Sequence, residues 1–411
     1  MNRIYGGLVA MLLLAVGSVG CADDPVCGDY PLDDDQRICV VETIEEMVDE
    51  TYPFADYKGV DLGEFSVQLR EALEHDSDES FLRAVNYSLR LLEDGHTRME
   101  RRALEEAAVA AVDIRRVDGD IRVVAADDEW TELIGHRVNT IDGVDAHQAL
   151  DKADTWVEGG ADGEAALWGS QLALAGEAGT TLELGLEGGQ KVRMQRESLF
   201  DEPEVRRYGD DIAYLRLETF RFVDDIELID QAINEVMDTR GLIVDLRGNG
   251  GGFPSVVEGL FGRLIQEDKP SFNMVDIDGD LHRELKASPR GEIYDGEVVL
   301  LSDRGTYSAS NYFAHRLVYH DRGIIIGEQT GGGAAAPARV EQLVPGIWFR
   351  VSTYVVTTPE GDHSESGIPA TIPVDVEEAA NGDDGEEATG QLSITGDPVK
   401  DRALHYLEAL Q

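Results

Sequence analysis

The chain has 411 residues, 42% of them hydrophobic and 7% aromatic, and it carries 35 Lys and Arg against 82 Asp and Glu for a formal net charge of −47. That length holds two or three domains, and the apolar share buries a sizeable core and excludes global disorder. The charge excludes a nucleic-acid partner, which needs a basic face, and disfavours anionic lipid headgroups; three cysteines without a CxxC or a His-rich cluster give neither a stapled scaffold nor a metal site, and nothing calls for a cofactor.

The chain opens with Arg3, an apolar run from Leu8 to Val16, small residues and Cys21. Residues 1–20 resemble a bacterial lipoprotein signal with Cys21 as the lipidated first residue, although Ser18 stands where leucine is usual; an ordinary secretory signal is the alternative. Either way the chain leaves the cytoplasm. The lipoprotein reading places it in the bacterial cell envelope, on the outer membrane, facing the periplasm or cell surface and touching lipid only through its anchor. Cys27 and Cys39 are then the remaining pair in an oxidising compartment, and a disulfide within the acidic linker 21–40 is their simplest use.

Residues 41–110 read as helical. Phe81, Val85, Leu89 and Leu92 recur at helical intervals, Asp78 is the expected N-cap, and the helix runs into Asp94-Gly95-His96-Thr97. Residues 111–200 change to short β runs, among them Ile121 to Ala125, Arg137 to Ile141, Thr181 to Leu186 and Lys191 to Gln195, with a turn at Asp142-Gly143. The stretch from Gly135 to Val144 resembles the central hairpin of a PDZ-like module, which binds peptide by adding a strand to a sheet edge. Residues 201–376 alternate strands (Ile212 to Leu217, Leu242 to Leu246, Val298 to Leu301, Ile324 to Ile326) with an amphipathic helix marked by Ile226, Ile229, Ile233 and Val236. That is the pattern of an α/β layer structure. An acidic loop over 377–397 and a closing helix over 398–411 complete the chain.

Two segments carry the sharpest chemical signal. The apolar strand Gly241 to Leu246 ends in Arg247-Gly248-Asn249-Gly250-Gly251-Gly252; glycine lets another group approach closely, and outward N–H groups of such a turn hold developing negative charge. Ser308, in Thr306-Tyr307-Ser308-Ala309-Ser310-Asn311, sits at a strand-to-helix corner, where a nucleophile is presented. An N-cap is the plain alternative for Ser308 or Ser310. His96 and Glu365 alone carry little information.

Taken in order, these two segments, Gly327-Glu328-Gln329-Thr330-Gly331-Gly332-Gly333 and the Asp94-Gly95-His96-Thr97 turn resemble one serine peptidase family. It contains the carboxyl-terminal processing peptidases, the tricorn core protease and the interphotoreceptor retinoid-binding proteins. The resemblance implies a ClpP/crotonase-like β-β-α spiral core, an N-terminal helical region and an inserted PDZ-like β domain. It also separates two branches. The Ser-Lys branch has a lysine where this chain has Gly333, and no lysine lies between Lys286 and Lys400. The tricorn-like branch uses a histidine matching His96 and a glutamate matching Glu365, which precedes Gly367-Ile368-Pro369. Ala370 replaces that branch's aspartate, Gly95 its serine before the histidine, and Asn311 a common glutamate.

The implied reaction is acyl transfer on a peptide or unfolded protein substrate. Ser308 is the nucleophile, His96 the general base and Glu365 the holder of the imidazole. Backbone N–H groups of Ala309 and of Gly251 or Gly252 form the oxyanion hole, while Asp245, Arg247 and Asn249 support the glycine turn. Ser310 is the competing nucleophile. A non-enzymatic carrier of an apolar ligand and a scaffold working through the PDZ-like module alone are the rival readings.

Overall fold

The computed structural model describes residues 25–101, 111–126, 128–154, 173–177, 179–196, 203–220, 225–376 and 395–410. The signal, Cys21 and most of the acidic loop lie outside them.

Four helices open the described chain: α1 Asp34–Thr51, α2 Ala55–Lys58, α3 Leu62–Glu71 and α4 Asp78–Ser88. A capping box starts α1, with the Gln36 N–H donating to Asp33 Oδ1 and the Asp33 N–H to Gln36 Oε1, both at 2.9 Å. The N-cap of α4 is Ser77, one residue before the expected Asp78. Ser77 has the extended backbone a cap requires (φ −114°, ψ 153°), whereas Asp78 is already helical and accepts from the Leu32 N–H and from Arg37. The Cys27–Cys39 disulfide joins α1 to the segment before it, with Cα atoms 5.6 Å apart. That segment lies along a later strand, through N–H bonds from Val26 to the Gln342 carbonyl and from Cys27 to that of Leu343.

After the turn that carries His96, strand β1 (Arg98–Arg101) departs from the expected helix and pairs with the later strand Ile347–Thr357. A unit with its own core follows. It holds β2 Val112–Val117, β3 Asp120–Ala126, β4 Val138–Ile141, β5 Val144–Asp145, α5 Ala146–Asp154, β6 Thr181–Leu186 and β7 Lys191–Gln195. The β4–β5 turn is at Asp142-Gly143, both with positive φ. Arg115 reaches out of this unit to Glu328, Nη1 to Oε1 2.8 Å.

The remaining elements are β8 Glu204–Tyr208, β9 Ile212–Arg216, α6 Asp225–Glu235, β10 Gly241–Asp245, α7 Pro254–Gly262, β11 Lys269–Val275, β12 Leu281–Ala287, β13 Glu297–Ser302, α8 Ala309–Tyr319, β14 Ile324–Gly327, β15 Ala335–Val344, β16 Ile347–Thr357, β17 Ile372–Pro373 and α9 Pro398–Ala409. They build a mixed α/β structure. A six-stranded sheet runs β17-β14-β13-β10-β9-β8, parallel except for the last pair. Its central strands are buried on both faces. Leu242 and Val244 pack against α6, α7 and α8, while Ile243 faces α9. Strands buried this way read as continuous apolar runs, which is why the sequence exposes them. A five-stranded antiparallel sheet, β1-β16-β11-β12 with β15 on β16, shares the first core through Phe272, Met274, Leu285 and Ala287. No sequence expectation covered this second sheet.

Parallel strands deliver their following loops to one edge. The Asp245–Gly252 turn after β10 and the Asp303–Ser308 loop after β13 therefore lie side by side, and the Tyr307 N–H donates to the Asn249 carbonyl at 3.1 Å.

Candidate active site

Ser308 sits at the N-cap of α8 but caps nothing with its side chain. Its backbone takes φ 55°, ψ −118°, a conformation that costs a non-glycine residue about 1–3 kcal/mol. The loop is held there by bonds from the Ser308 N–H to the Gly332 carbonyl, 3.0 Å, and from the Tyr312 N–H to the Ser308 carbonyl, 2.9 Å. The strained corner turns Oγ toward the N-terminal region, where His96 Nε2 meets it at 2.8 Å. Residues 212 positions apart are thus in hydrogen-bond contact. Ser310, by contrast, is fully buried inside α8, and its Oγ finds no partner among the described residues.

His96 is 5% exposed. Its ring lies beside that of Tyr307, centroids 4.8 Å apart, and Nδ1 is 3.1 Å from the Tyr307 hydroxyl. Asp94 supports the same edge. Its Oδ1 accepts the His96 backbone N–H at 2.9 Å and lies 3.9 Å from Nδ1, and its Oδ2 accepts from Thr97 Oγ1 at 2.6 Å. Burial pulls the imidazole pKa down to about 3; Asp94 opposes that, and Arg350, Arg98 and Lys58 add to it. The imidazole is therefore neutral at neutral pH. With the proton on Nδ1 toward Tyr307, Nε2 is free to accept from Ser308.

Glu365 does not occupy the place expected of it. Its Oε1 accepts from Lys58 Nζ at 2.7 Å and its Oε2 from the Ala334 N–H at 2.7 Å, so Tyr307 and Asp94, not Glu365, flank Nδ1. The Ala334 bond fixes the carboxylate to the residue just before the strand Ala335–Val344, and Lys58 draws its other oxygen toward α2. Burial, then the charge of Asp94, push Glu365 up to about 7 despite Lys58.

The glycine turn lies directly against the serine. A Cβ added at Gly251 would stand 2.7 Å from Ala309 N and 2.8 Å from Ser308 Cβ, at φ +99°. Only glycine permits that approach. The expected donor at Gly251 is nevertheless engaged, because its N–H donates to Asn249 Oδ1 at 2.9 Å. The N–H groups of Gly252 and Ala309 have no acceptor among the described residues. Asn249 Nδ2 donates to the Leu217 carbonyl at 2.9 Å. Below it, Arg247 forks between Asp245 (Nη2–Oδ2 2.6 Å) and Asp397 (Nη2–Oδ2 2.7 Å).

Two departures from the family pattern gain physical content. Asn311 donates to Ser364 Oγ at 2.8 Å and accepts from Thr330 Oγ1 at 2.7 Å, which ties α8 to the turn holding Glu365. At Gly333, where the Ser-Lys branch has its lysine, a Cβ would strike the Tyr307 ring at 2.4 Å, at φ +76°. Tyr307 thus takes the space a lysine there would need. Tyr307 and Asp94 carry no catalytic signal in the sequence, although they lie within Thr306-Tyr307-Ser308-Ala309-Ser310-Asn311 and Asp94-Gly95-His96-Thr97. Lys58 carried no signal of its own.

Residues 211–374 match the model of Peptidase family S41. The chain is 27% identical over 177 residues to the carboxy-terminal processing protease CtpB of Bacillus subtilis (strain 168), a match covering 42% of this chain and 35% of that protein. It is 30% identical over 171 residues to the chloroplastic C-terminal processing peptidase of Tetradesmus obliquus, covering 40% and 36%. The matches thus span about a third of the length of these curated relatives. Mature CPAF superposes with a TM-score of 0.61 at 14% identity, covering 91% of this chain and 98% of that one. The photosystem II D1 C-terminal processing protease gives 0.54 at 20% identity, covering 83% and 94%. At such identities the superpositions speak to the fold.

Proposed function

We propose that this chain, whose residues 211–374 belong to peptidase family S41, is a serine endopeptidase that hydrolyses peptide bonds in unfolded or C-terminal segments of proteins. The observation that carries the reading is the 2.8 Å contact between His96 Nε2 and the Oγ of a serine held at positive φ. Ser308 Oγ attacks the scissile carbonyl while Nε2 takes its proton. The resulting imidazolium keeps its Nδ1–H on the Tyr307 hydroxyl, beside the Asp94 carboxylate. Nε2–H then protonates the leaving amine; the neutral imidazole next takes a proton from water as it attacks the acyl-enzyme and returns it to Ser308 Oγ when the ester breaks. The Ala309 and Gly252 N–H groups receive the oxyanion, a donor typically worth about 3 kcal/mol in the transition state. Glu365 acts at one remove, through the buried charge it shares with Lys58, rather than as a direct third member.

The finer assignments belong to the same proposal. Two sheets sharing one core support the ClpP/crotonase-like spiral. The small antiparallel sheet with α5 supports the PDZ-like reading of 111–200. Secretion, lipidation at Cys21 and residence in the bacterial envelope rest on residues 1–21, and the Cys27–Cys39 bridge fits an oxidising compartment. A fluorophosphonate probe tests the central claim. Labelling of Ser308 that disappears in His96→Ala is expected; an unlabelled parent, or labelling indifferent to His96, overturns it.

A further inference from the structure

Lys58 ends the short helix α2, immediately before Gly59 turns the chain at φ +67°. Its ammonium is drawn inward although acidic residues are abundant on the surface. The Lys58 side chain is 9% exposed and that of Glu365 4%. Taking such a charge out of water costs several kcal/mol unless partners compensate. Here the partners are the Glu93 carbonyl at 2.6 Å, the Glu365 carboxylate at 2.7 Å and the face of Phe54 with its centroid at 4.9 Å.

The two oxygens belong to two different routes to the imidazole. Glu93 precedes Asp94, whose carboxylate holds the His96 backbone and lies beside Nδ1. Glu365 grips the Ala334 N–H, next to the glycine that packs on Tyr307, the hydroxyl partner of Nδ1. Around the imidazole stand Asp94 and Arg98 from its own turn and strand, Arg350 from β16, Tyr307 from the loop before α8 and Lys58 from α2, with Glu365 of the 363–368 turn bonded to Lys58. Asp94 is the carboxylate on this edge, and Lys58, bonded to Glu365, is a cation whose charge reaches Asp94, Glu365 and the imidazole alike.

We infer that Lys58 is the positioning residue of the Ser308–His96 pair: its ammonium clamps the His96 turn to the Glu365 turn and holds a positive charge close to the imidazole. The inference rests on the peptidase reading. It also makes a claim about His96 that is measurable without turnover. Removing the cation makes imidazolium easier to form, so the base becomes protonated, and useless, at a higher pH.

The test uses the mature chain with Lys58→Met and Lys58→Arg. Fluorophosphonate labelling of Ser308 is followed against pH, and the His96 imidazole is titrated by NMR, assigned through His96→Gln. In Lys58→Met we expect labelling to slow about tenfold and both the acid limb and the imidazole titration to move up by about one pH unit. Lys58→Arg, which keeps the charge, returns the limb to the parent position. Slower labelling with an unmoved limb and an unmoved imidazole overturns the inference and leaves Lys58 a packing residue. If Lys58→Met fails to fold, Lys58→Arg decides: a limb that stays supports the charge role, and a limb that moves overturns it. If the parent does not label at Ser308, the peptidase reading itself falls, while the imidazole titration still upholds or refutes the electrostatic claim.

Discussion

Two buried ion clusters brace this molecule, and they are built on opposite terms. Behind the glycine turn, Arg247 is bonded to both Asp245 and Asp397; Asp245 also accepts from the Tyr214 hydroxyl, and Asp397 caps α9 through the Val399 and Lys400 N–H groups. Burial alone would raise both carboxylates, but the charge and hydrogen bonds of Arg247 outweigh it and hold them below the usual carboxylate range. Behind the imidazole, Glu365 has one cation and one backbone N–H, and burial wins, pushing it up to about 7. The first cluster is saturated and fixed in charge across the physiological range. The second is under-compensated and changes charge near neutrality. Perturbed carboxyls of the second kind gather where chemistry occurs.

The comparison breaks if chemistry and stability are not divided in this way. The largest effect should come from Ser308→Ala, with kcat on a peptide substrate falling by about 10⁴-fold or more and Tm nearly unchanged. Arg247→Met should do the reverse. It strands two buried carboxylates and costs about 3–5 kcal/mol of unfolding free energy, read by urea denaturation. An Arg247→Met protein of parental stability would show that the saturated cluster is no brace.

The saturated cluster was easier to foresee. Asp245 and Arg247 lie at the end of a strand, next to four glycines within five residues, so local pattern alone set them apart. Leu242-Ile243-Val244 announced their strand because both of its faces are buried. The Lys58–Glu365 pair spans 307 positions, and no periodicity or spacing links such residues. The family resemblance supplied Glu365 as a residue but not its contacts, which are the Ala334 N–H and Lys58. β15 and β16 escaped notice for another reason. Register shifts interrupt their pairing, and half-buried arginines such as Arg350 break the apolar alternation.

The pH dependence of stability sharpens the comparison further, because the two clusters carry opposite signs. Glu365 has a folded pKa of about 7 against an ordinary 4.5. The folded state therefore binds the extra proton between those values, and stability from this group is lost as pH rises through about 7, roughly 3 kcal/mol in all. Asp245 and Asp397 are depressed, so their contribution is present above about pH 4 and is lost as pH falls below it. Glu365→Gln should flatten the neutral slope in urea titrations and leave the acid slope intact. A neutral slope that survives Glu365→Gln belongs to another group, and the contrast between the clusters loses its basis.

The smallest effect expected concerns the imidazole itself. Tyr307→Phe keeps the ring beside His96 but deletes the oxygen 3.1 Å from Nδ1, leaving a buried N–H with Asp94 Oδ1 at 3.9 Å, beyond hydrogen-bond reach. A stranded buried donor costs about 1–3 kcal/mol, and the tautomer protonated on Nε2, which cannot accept from Ser308, gains by that amount. We expect kcat to fall about tenfold with KM unchanged, since the hydroxyl holds the base rather than the peptide. The same variant discriminates between the two supports of Nδ1. Were Asp94 the true partner, closing up in the substrate complex, Tyr307→Phe would leave kcat alone and Asp94→Asn would carry the loss; a fall in Tyr307→Phe with an unmoved acid limb assigns the tautomer to the phenol.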